Sequence, residues 1–169
     1  MAITIQKKQL ICGMVFMGVS SMIWANTLHK CSTAPIEVTR QIVGQATYFA
    51  ENCAQVWSEQ SIRIDFDYSR AIPEWALKRA ATHFLSKNLG KNSNYAVFNS
   101  ITQHYLPIKA GDRYRLTYTK ASQTLTLSMN QQFLAEIRHP QANQYFQIWF
   151  GATPFSVKLK QQLLINRKY

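Results

Sequence analysis

The sequence predicts a single domain of the α+β class, in which helices cover one face of an antiparallel sheet. The chain has 169 residues, 47% of them hydrophobic and only 16% charged, which suits one packed domain. Strand-like alternation of apolar and polar residues occurs in two separate regions, and helical spacing follows each of them. No internal repeat, low-complexity segment or linker rich in glycine, serine or proline divides the chain.

The first 25 residues indicate a secretory signal. Lys7 and Lys8 precede an apolar, uncharged stretch from Leu10 to Ala25, which is shorter than the roughly 20 residues that a spanning helix needs. We therefore expect cleavage after Ala25 and a periplasmic or secreted protein. A retained N-terminal membrane anchor is the alternative.

The net charge of +11, from 19 lysines and arginines against 8 acidic residues, raises the question of an anionic partner. Removing residues 1–25 takes away two lysines and no acid, so the basic bias belongs to the domain itself. The basic residues are scattered, with no run of more than two, which is typical of a solvated surface. We expect weak contact with an anionic membrane surface and no nucleic acid. The sequence identifies no protein partner.

Only two cysteines, Cys31 and Cys53, follow the predicted signal. An even pair in an oxidising compartment is commonly bridged, so we expect a disulfide between them, with two buried free thiols as the alternative. Such a bond would tie an N-terminal segment, residues 26–39, to a domain over residues 40–169.

The early part of the domain carries strand patterns. Apolar residues between Ile36 and Trp57, interrupted at Gly44, predict two or three short strands. From Ile62 to Tyr68 the alternation is clean and predicts a half-buried strand.

The spacing then becomes helical. Pro73 suits the first turn of a helix that ends at Gly90, and a second helical stretch from Asn94 to Tyr105 is stopped by Pro107. A three-strand meander follows over residues 113–118, 124–129 and 133–137.

The last part is predicted to be helical again. The pattern resumes after Pro140 and runs to Phe150, where Gly151 caps it, and a final helix covers Ser156 to Leu164.

Motifs for common chemistries are absent from the sequence. The four histidines are too scattered for a metal-ligand pattern, and neither a nucleophile elbow nor a phosphate-cradling glycine loop is present. We expect no metal and no cofactor. Asp65 and Asp67 lie two residues apart on one strand face, where they could share a proton or bind a cation, but we interpret them as a solvated edge beside Arg63.

Three segments carry a family resemblance. Residues 67–72 (DYSRAI), residues 106–112 (LPIKAGD) and residues 146–151 (FQIWFG) resemble, in order and spacing, the bacterial exported members of the chalcone isomerase-like domain family. The third segment is similar to the family's Ile-Trp-Leu-Gly helix, and the leucine-rich end at 159–164 is similar to its Leu-Leu ending. The resemblance covers about residues 40–165.

The resemblance implies an open-faced β-sandwich, a long antiparallel sheet with helices on one side and a cleft between them. Plant members close a chalcone ring, and related members bind fatty acids. Catalytic members use an arginine on an early strand, a tyrosine and an asparagine on the helix side, and nearby threonines. This chain departs from that pattern, because its nearest early basic residue is Arg40 and its helix after Pro73 has no tyrosine.

No catalytic residue can therefore be transferred from the family. The candidates for contact with a ligand in the cleft are Arg40, Tyr48, Trp75 and Tyr118. An apolar ligand needs only a concave hydrophobic pocket with a polar group or two, whereas a buried anion would need a fixed cation.

Three functions are compatible with the sequence. We expect an exported, non-catalytic binder of an apolar or fatty-acid-like ligand. One alternative is an envelope interaction scaffold with a filled interior, and the other is an intramolecular lyase or isomerase in which Arg40 and Tyr48 converge in the cleft.

Overall fold

The structure is a computed structural model that describes residues 27–90 and 95–165. The predicted signal and its cleavage point lie outside the described residues. Within the described ranges, six strands form one antiparallel sheet in which every strand pairs with the next along the chain. The strands are β1 (His29–Val38), β2 (Gln41–Ala50), β3 (Ile62–Tyr68), β4 (Arg113–Thr119), β5 (Thr124–Met129) and β6 (Gln132–Arg138).

In the described part of the chain, four α-helices accompany the sheet, together with two 3-10 turns at Trp57–Glu59 and Ala142–Phe146. The helices are α1 (Glu74–Leu89), α2 (Tyr95–Thr102), α3 (Gln147–Phe150) and α4 (Val157–Leu163). Helices α1 and α2 connect β3 to β4. The 3-10 turn at Ala142–Phe146, α3 and α4 follow β6. None of the helices in the described ranges is long and apolar enough to span a membrane.

The strand prediction for residues 62–68, the meander and the helix after Pro73 are confirmed. Two strands are present between Ile36 and Trp57, as predicted, but the prediction that they are short is wrong, because they belong to a hairpin of two ten-residue strands. Its first strand begins at His29, so most of residues 26–39 lies in the sheet. Register irregularities between Lys30 and Ser32 and between Ile36 and Glu37 break the period of two that reveals a strand in a sequence.

The helices cover one face of the sheet, which we call the inner face. On β4 and β5 the side chains that point to this face are almost completely buried, while their neighbours are partly exposed. Burial of this apolar surface, at roughly 25 cal/mol per Å², supplies the main driving force for the fold. The inner residues of these two strands are Tyr114, Leu116, Tyr118, Leu125 and Leu127.

The predicted disulfide is present. Cys31 on β1 and Cys53 in the loop after β2 are bonded, with their Cα atoms 5.3 Å apart. Directly after Cys31, α4 packs on the same strand, since the Ser32 hydroxyl donates to the Leu163 carbonyl across 2.6 Å. The edge strand is therefore fixed by a covalent bond and by a helix.

The outer face carries a ladder of ion pairs across β3 and β4. Asp65 accepts two hydrogen bonds from the Arg115 guanidinium, both of 2.9 Å, and lies 3.2 Å from Arg63 Nε. Asp67 pairs with Arg113. The interpretation of Asp65 as part of a solvated edge is wrong, because β3 is an interior strand and the Asp65 side chain is only 6% exposed between its two arginines.

Candidate functional site: an apolar cavity between sheet and helices

A cavity of about 350 Å³ lies between the inner face of the sheet and helices α1, α3 and α4. Its size falls in the range of small-molecule sites. The sheet supplies aliphatic and aromatic side chains from β1 to β5, among them Ile36, Phe66, Leu116 and Leu127. The helices and the loop before α4 supply Leu77, Ala80, Trp149, Phe155 and Leu159.

The cavity opens where the β1–β2 turn meets the β3–α1 connection. Three lining residues, Val38, Ala71 and Pro73, are exposed to solvent and form what we call the mouth. The N-terminus of α4 lies beside it, because Lys158 Nζ is 2.9 Å from Glu37 Oε2 on β1. Other lining residues, such as Leu116 and Leu127, are 1% exposed, so the cavity leads from solvent into the core.

The side-chain hydroxyls of the cavity come from three tyrosines, Tyr68, Tyr105 and Tyr114, which we call the tyrosine cluster. The Tyr114 hydroxyl is fully used, because it accepts from Leu106 N (2.6 Å) and donates to Leu106 O (3.0 Å). The rings of Tyr105 and Tyr114 meet edge to face with centroids 5.4 Å apart. The cluster is thus held by the loop that precedes β4.

A buried hydrogen-bond chain supports Tyr105 from behind. The Thr102 hydroxyl donates to the Phe98 carbonyl (3.1 Å), so the Tyr145 hydroxyl, 3.0 Å from Thr102 Oγ1, donates to Thr102. The Tyr105 hydroxyl lies 3.3 Å from that of Tyr145 and keeps a lone pair for another donor. Among the described residues, the Tyr68 hydroxyl makes no hydrogen bond, so it can donate to a molecule in the cavity.

The tyrosines of this region stay neutral well above physiological pH. Burial, and then the neighbouring Tyr114, raise the pKa of Tyr68, and burial followed by Tyr145 raises the pKa of Tyr105. Burial also raises the pKa of Tyr145 to about 12. The site therefore offers neutral hydroxyl donors and no tyrosinate base at pH 7.

No described residue that lines the cavity carries a charged side chain. Across the described ranges, no three histidine, cysteine, aspartate or glutamate side chains come together to hold a metal ion. The arrangement can enclose an apolar chain and hydrogen-bond a neutral oxygen.

The structure places none of the four predicted ligand contacts in the cavity wall. Arg40 lies exposed in the β1–β2 turn, and Trp75 is 65% exposed at the start of α1, so both are at the end of the molecule that carries the mouth. Tyr48 is buried against Phe150, with ring centroids 5.3 Å apart, and Tyr118 is buried on β4. Their role in binding stays a prediction.

Sequence reasoning missed Tyr68, Tyr105 and Trp149 as cavity residues. Tyr68 and Trp149 lie in the segments that carry the family resemblance, so a signal for them was present. The sequence predicts a helix that reaches Tyr105, but α2 ends at Thr102, and Tyr105 follows it in a loop.

An open antiparallel sheet with helices on one face and a cavity between the layers defines the open-faced β-sandwich of chalcone isomerase type. The family model described as chalcone isomerase-like matches residues 46–165, and the chain belongs to that family. The predicted family and fold are confirmed.

Among solved structures, the chain is similar to a fatty-acid binding protein of Arabidopsis thaliana, with a TM-score of 0.62 and 13% sequence identity. The match covers 82% of this chain and 87% of the plant protein. At this identity the likeness shows the shared fold alone. No curated protein sequence matches the chain.

Proposed function

We propose that this protein is a non-catalytic binder of an apolar, fatty-acid-like small molecule that occupies the cavity between sheet and helices. The observation that carries the proposal is the cavity itself, about 350 Å³ with an apolar wall and the hydroxyls of three tyrosines. A small-molecule site combines these features, namely a mostly hydrophobic lining with a few placed polar groups.

The structural neighbour supports the same proposal. It has the same fold over most of both chains, and it is described as a fatty-acid binding protein. Within one fold family, a cavity in the same layer arrangement is a reasonable place for a related ligand, although function has to be argued from the site.

The absence of catalysis is part of the proposal and is supported by the position of two residues. An isomerase needs a cation and a tyrosine that converge on the substrate, and the sequence offers Arg40 and Tyr48 as that pair. Arg40 is exposed in a turn and Tyr48 is 1% exposed in the core, and neither lines the cavity. The described lining supplies no charged group to stabilise a developing oxyanion.

An interaction scaffold without a ligand is the weaker candidate. The scaffold hypothesis predicts a filled interior, whereas the interior holds a cavity with an opening to solvent at Val38, Ala71 and Pro73. A solvent-accessible apolar cavity favours a small molecule over a purely structural interior.

Export and contact with a lipid surface are proposals that rest on the sequence. The signal-like residues 1–25 support a periplasmic or secreted location. Weak attachment to an anionic membrane is supported by Arg40, Arg70, Ile42 and Trp75, which are exposed at the end of the molecule that carries the mouth. Cosedimentation with vesicles of phosphatidylcholine, with and without phosphatidylglycerol, tests this attachment.

Native mass spectrometry of the protein purified from the cell envelope, followed by solvent extraction, tests the proposed function. We expect one apolar small molecule per chain in the wild type. Ala80→Trp places an indole in the cavity, whereas Thr82→Trp places the same side chain on the exposed side of α1. Loss of the ligand from the first variant alone supports the proposal. A clean protein mass that takes up no added fatty acid or fatty alcohol would sink it.

A further inference from the structure

The inner and outer faces of the central strands differ in the charge of their side chains. On the outer face, Asp65 and Asp67 are matched by arginines on the neighbouring strand. The inner face carries Phe66, which stands between the two aspartates in the sequence, and Tyr68, which follows them. The cavity that Phe66 and Tyr68 line has no charged side chain among the described residues.

The groups that act on the tyrosine cluster also include no cation that could stabilise an anion. After burial, the groups that raise the pKa of Tyr105 are Tyr145, Tyr68 and Tyr114, and all three are neutral phenols at pH 7. The pKa of Tyr114 is raised first by burial and then by the carboxylates of Asp112 and Glu74, which are negative. A carboxylate beside these hydroxyls would lose its hydration without gaining a cation, which is unfavourable for an ion in an apolar site.

We infer that the cavity takes a ligand whose head group is uncharged, a long-chain alcohol or a protonated fatty acid, with its oxygen held by the hydroxyls of Tyr68 and Tyr105. This inference rests on the proposed function and specifies its ligand. The Tyr68 hydroxyl has a proton to donate to the head-group oxygen, and the Tyr105 hydroxyl has a lone pair to accept the O–H of an alcohol or a protonated acid. The Tyr114 hydroxyl, by contrast, is occupied by both backbone groups of Leu106.

The inference predicts a pH dependence of fatty-acid binding. Only the protonated acid enters the site, so its apparent affinity falls by about tenfold for each pH unit above the pKa of the free acid. An alcohol of the same chain length does not titrate, so its affinity stays constant over the same range. A site with a cation would instead bind the carboxylate more tightly than the protonated acid.

The test compares decanol and decanoic acid by equilibrium dialysis with the purified protein between pH 5.5 and pH 8. We expect pH-independent binding of decanol and progressive weakening of decanoic acid. Decanoate that binds as tightly at pH 8 as at pH 5.5, or more tightly than decanol, overturns the inference and leaves the proposed function standing. Failure of both ligands to bind overturns the proposed function, and the inference with it.

Two conservative variants test where the head group lies. Tyr68→Phe and Tyr105→Phe each remove one hydroxyl from the cavity, and we expect each to weaken decanol binding by about fivefold to tenfold. Decane, which has no oxygen, serves as the control ligand and should bind both variants and the wild type equally. Equal losses for decane and decanol would show that the variants damage the cavity, and unchanged decanol binding would place the head group elsewhere; either result contradicts the assigned position.

Discussion

The two faces of the sheet are built from alternate residues of the same strands, yet they use polar groups in different ways. The outer face carries ionised groups in pairs, such as Asp65 between Arg63 and Arg115. The inner face carries neutral phenols that hydrogen-bond to one another or to the backbone, as Tyr145 does with Tyr105. Adjacent residues of one strand therefore point into different environments, one charged and the other uncharged.

This difference between the two faces indicates which ligands the cavity can hold. Ion pairs on the outer face are partly hydrated, since the side chains of Arg115 and Arg113 are 37% and 53% exposed. The inner face has no such access to water except at the mouth, so an unpaired charge there would be costly. A ligand that enters between sheet and helices has to match the neutral face.

The largest expected effect comes from moving one acidic side chain between the two faces. Leu116→Asp places a carboxylate on the inner face, where Leu116 is 1% exposed, and should lower the free energy of unfolding by about 3 to 5 kcal/mol. Thr117→Asp places the same group on the outer face opposite Arg63 and should cost about 1 kcal/mol or less. Urea denaturation measures both values. Similar losses for the two variants would mean that the faces do not differ in this way.

A smaller effect is expected inside the outer face itself. Asp65→Asn leaves Arg63 and Arg115 without their shared carboxylate and should lower the free energy of unfolding by about 2 kcal/mol, less than for a fully buried pair because both arginines reach water. Asp67→Asn breaks only the exposed pair with Arg113 and should cost less than about 1 kcal/mol. The same urea experiment ranks the two variants, and the reverse order would refute the description of the ladder.

Alkaline pH tests the neutral tyrosines of the inner face. The pKa of Tyr145 rises from 10.0 to about 12 on folding because of burial, so the unfolded chain loses this proton first. Stability is therefore fully present below pH 10 and falls by about 1.4 kcal/mol per pH unit as the pH rises from 10 towards 12.

Replacing this phenol isolates its contribution. Urea denaturation at several pH values should give a shallower alkaline decline for Tyr145→Phe than for the wild type. Parallel declines would show that Tyr145 does not hold its proton in the folded state.

The smallest effects are expected at the two exposed candidates near the mouth. Arg40→Gln and Trp75→Ala should each change the free energy of unfolding by about 0.5 kcal/mol or less, because both side chains are exposed. Decanol affinity should stay within about twofold, since neither residue lines the cavity. A loss of tenfold or more in equilibrium dialysis would restore them as ligand contacts.

Much of the fold could be predicted from the sequence. Residues 62–68 and the meander alternate regularly because one face of each strand is buried and the other is not. The β1–β2 hairpin was harder, because bulges shift the register of β1 and because Pro35 and Glu37 occur among its buried residues. The pairing of Cys31 with Cys53 could be predicted because only two cysteines follow the predicted signal.

The site was less predictable because a cavity is formed by several elements at once. Tyr48 and Tyr118 have the same alternating pattern as Tyr68 and Tyr114, and only the positions of the helices decide which of these face empty space. Tyr105 depends on where α2 ends, and helix ends are set by local contacts that a periodic pattern does not specify. Trp149 lies on a four-residue helix that is too short to show a period.

The central claim, that a ligand occupies the cavity on the inner face, is tested most directly by fluorescence quenching from a specific tryptophan. Trp149 lines the cavity, whereas Trp57 packs against Phe150 and does not line it. Two variants are compared, one that keeps only Trp149 and one that keeps only Trp57, with phenylalanine in place of the other tryptophans. A long-chain alcohol brominated near its terminal carbon should quench Trp149 to saturation at one equivalent and leave Trp57 nearly unchanged. Equal quenching of the two, or none at Trp149 although the alcohol binds, would contradict the account.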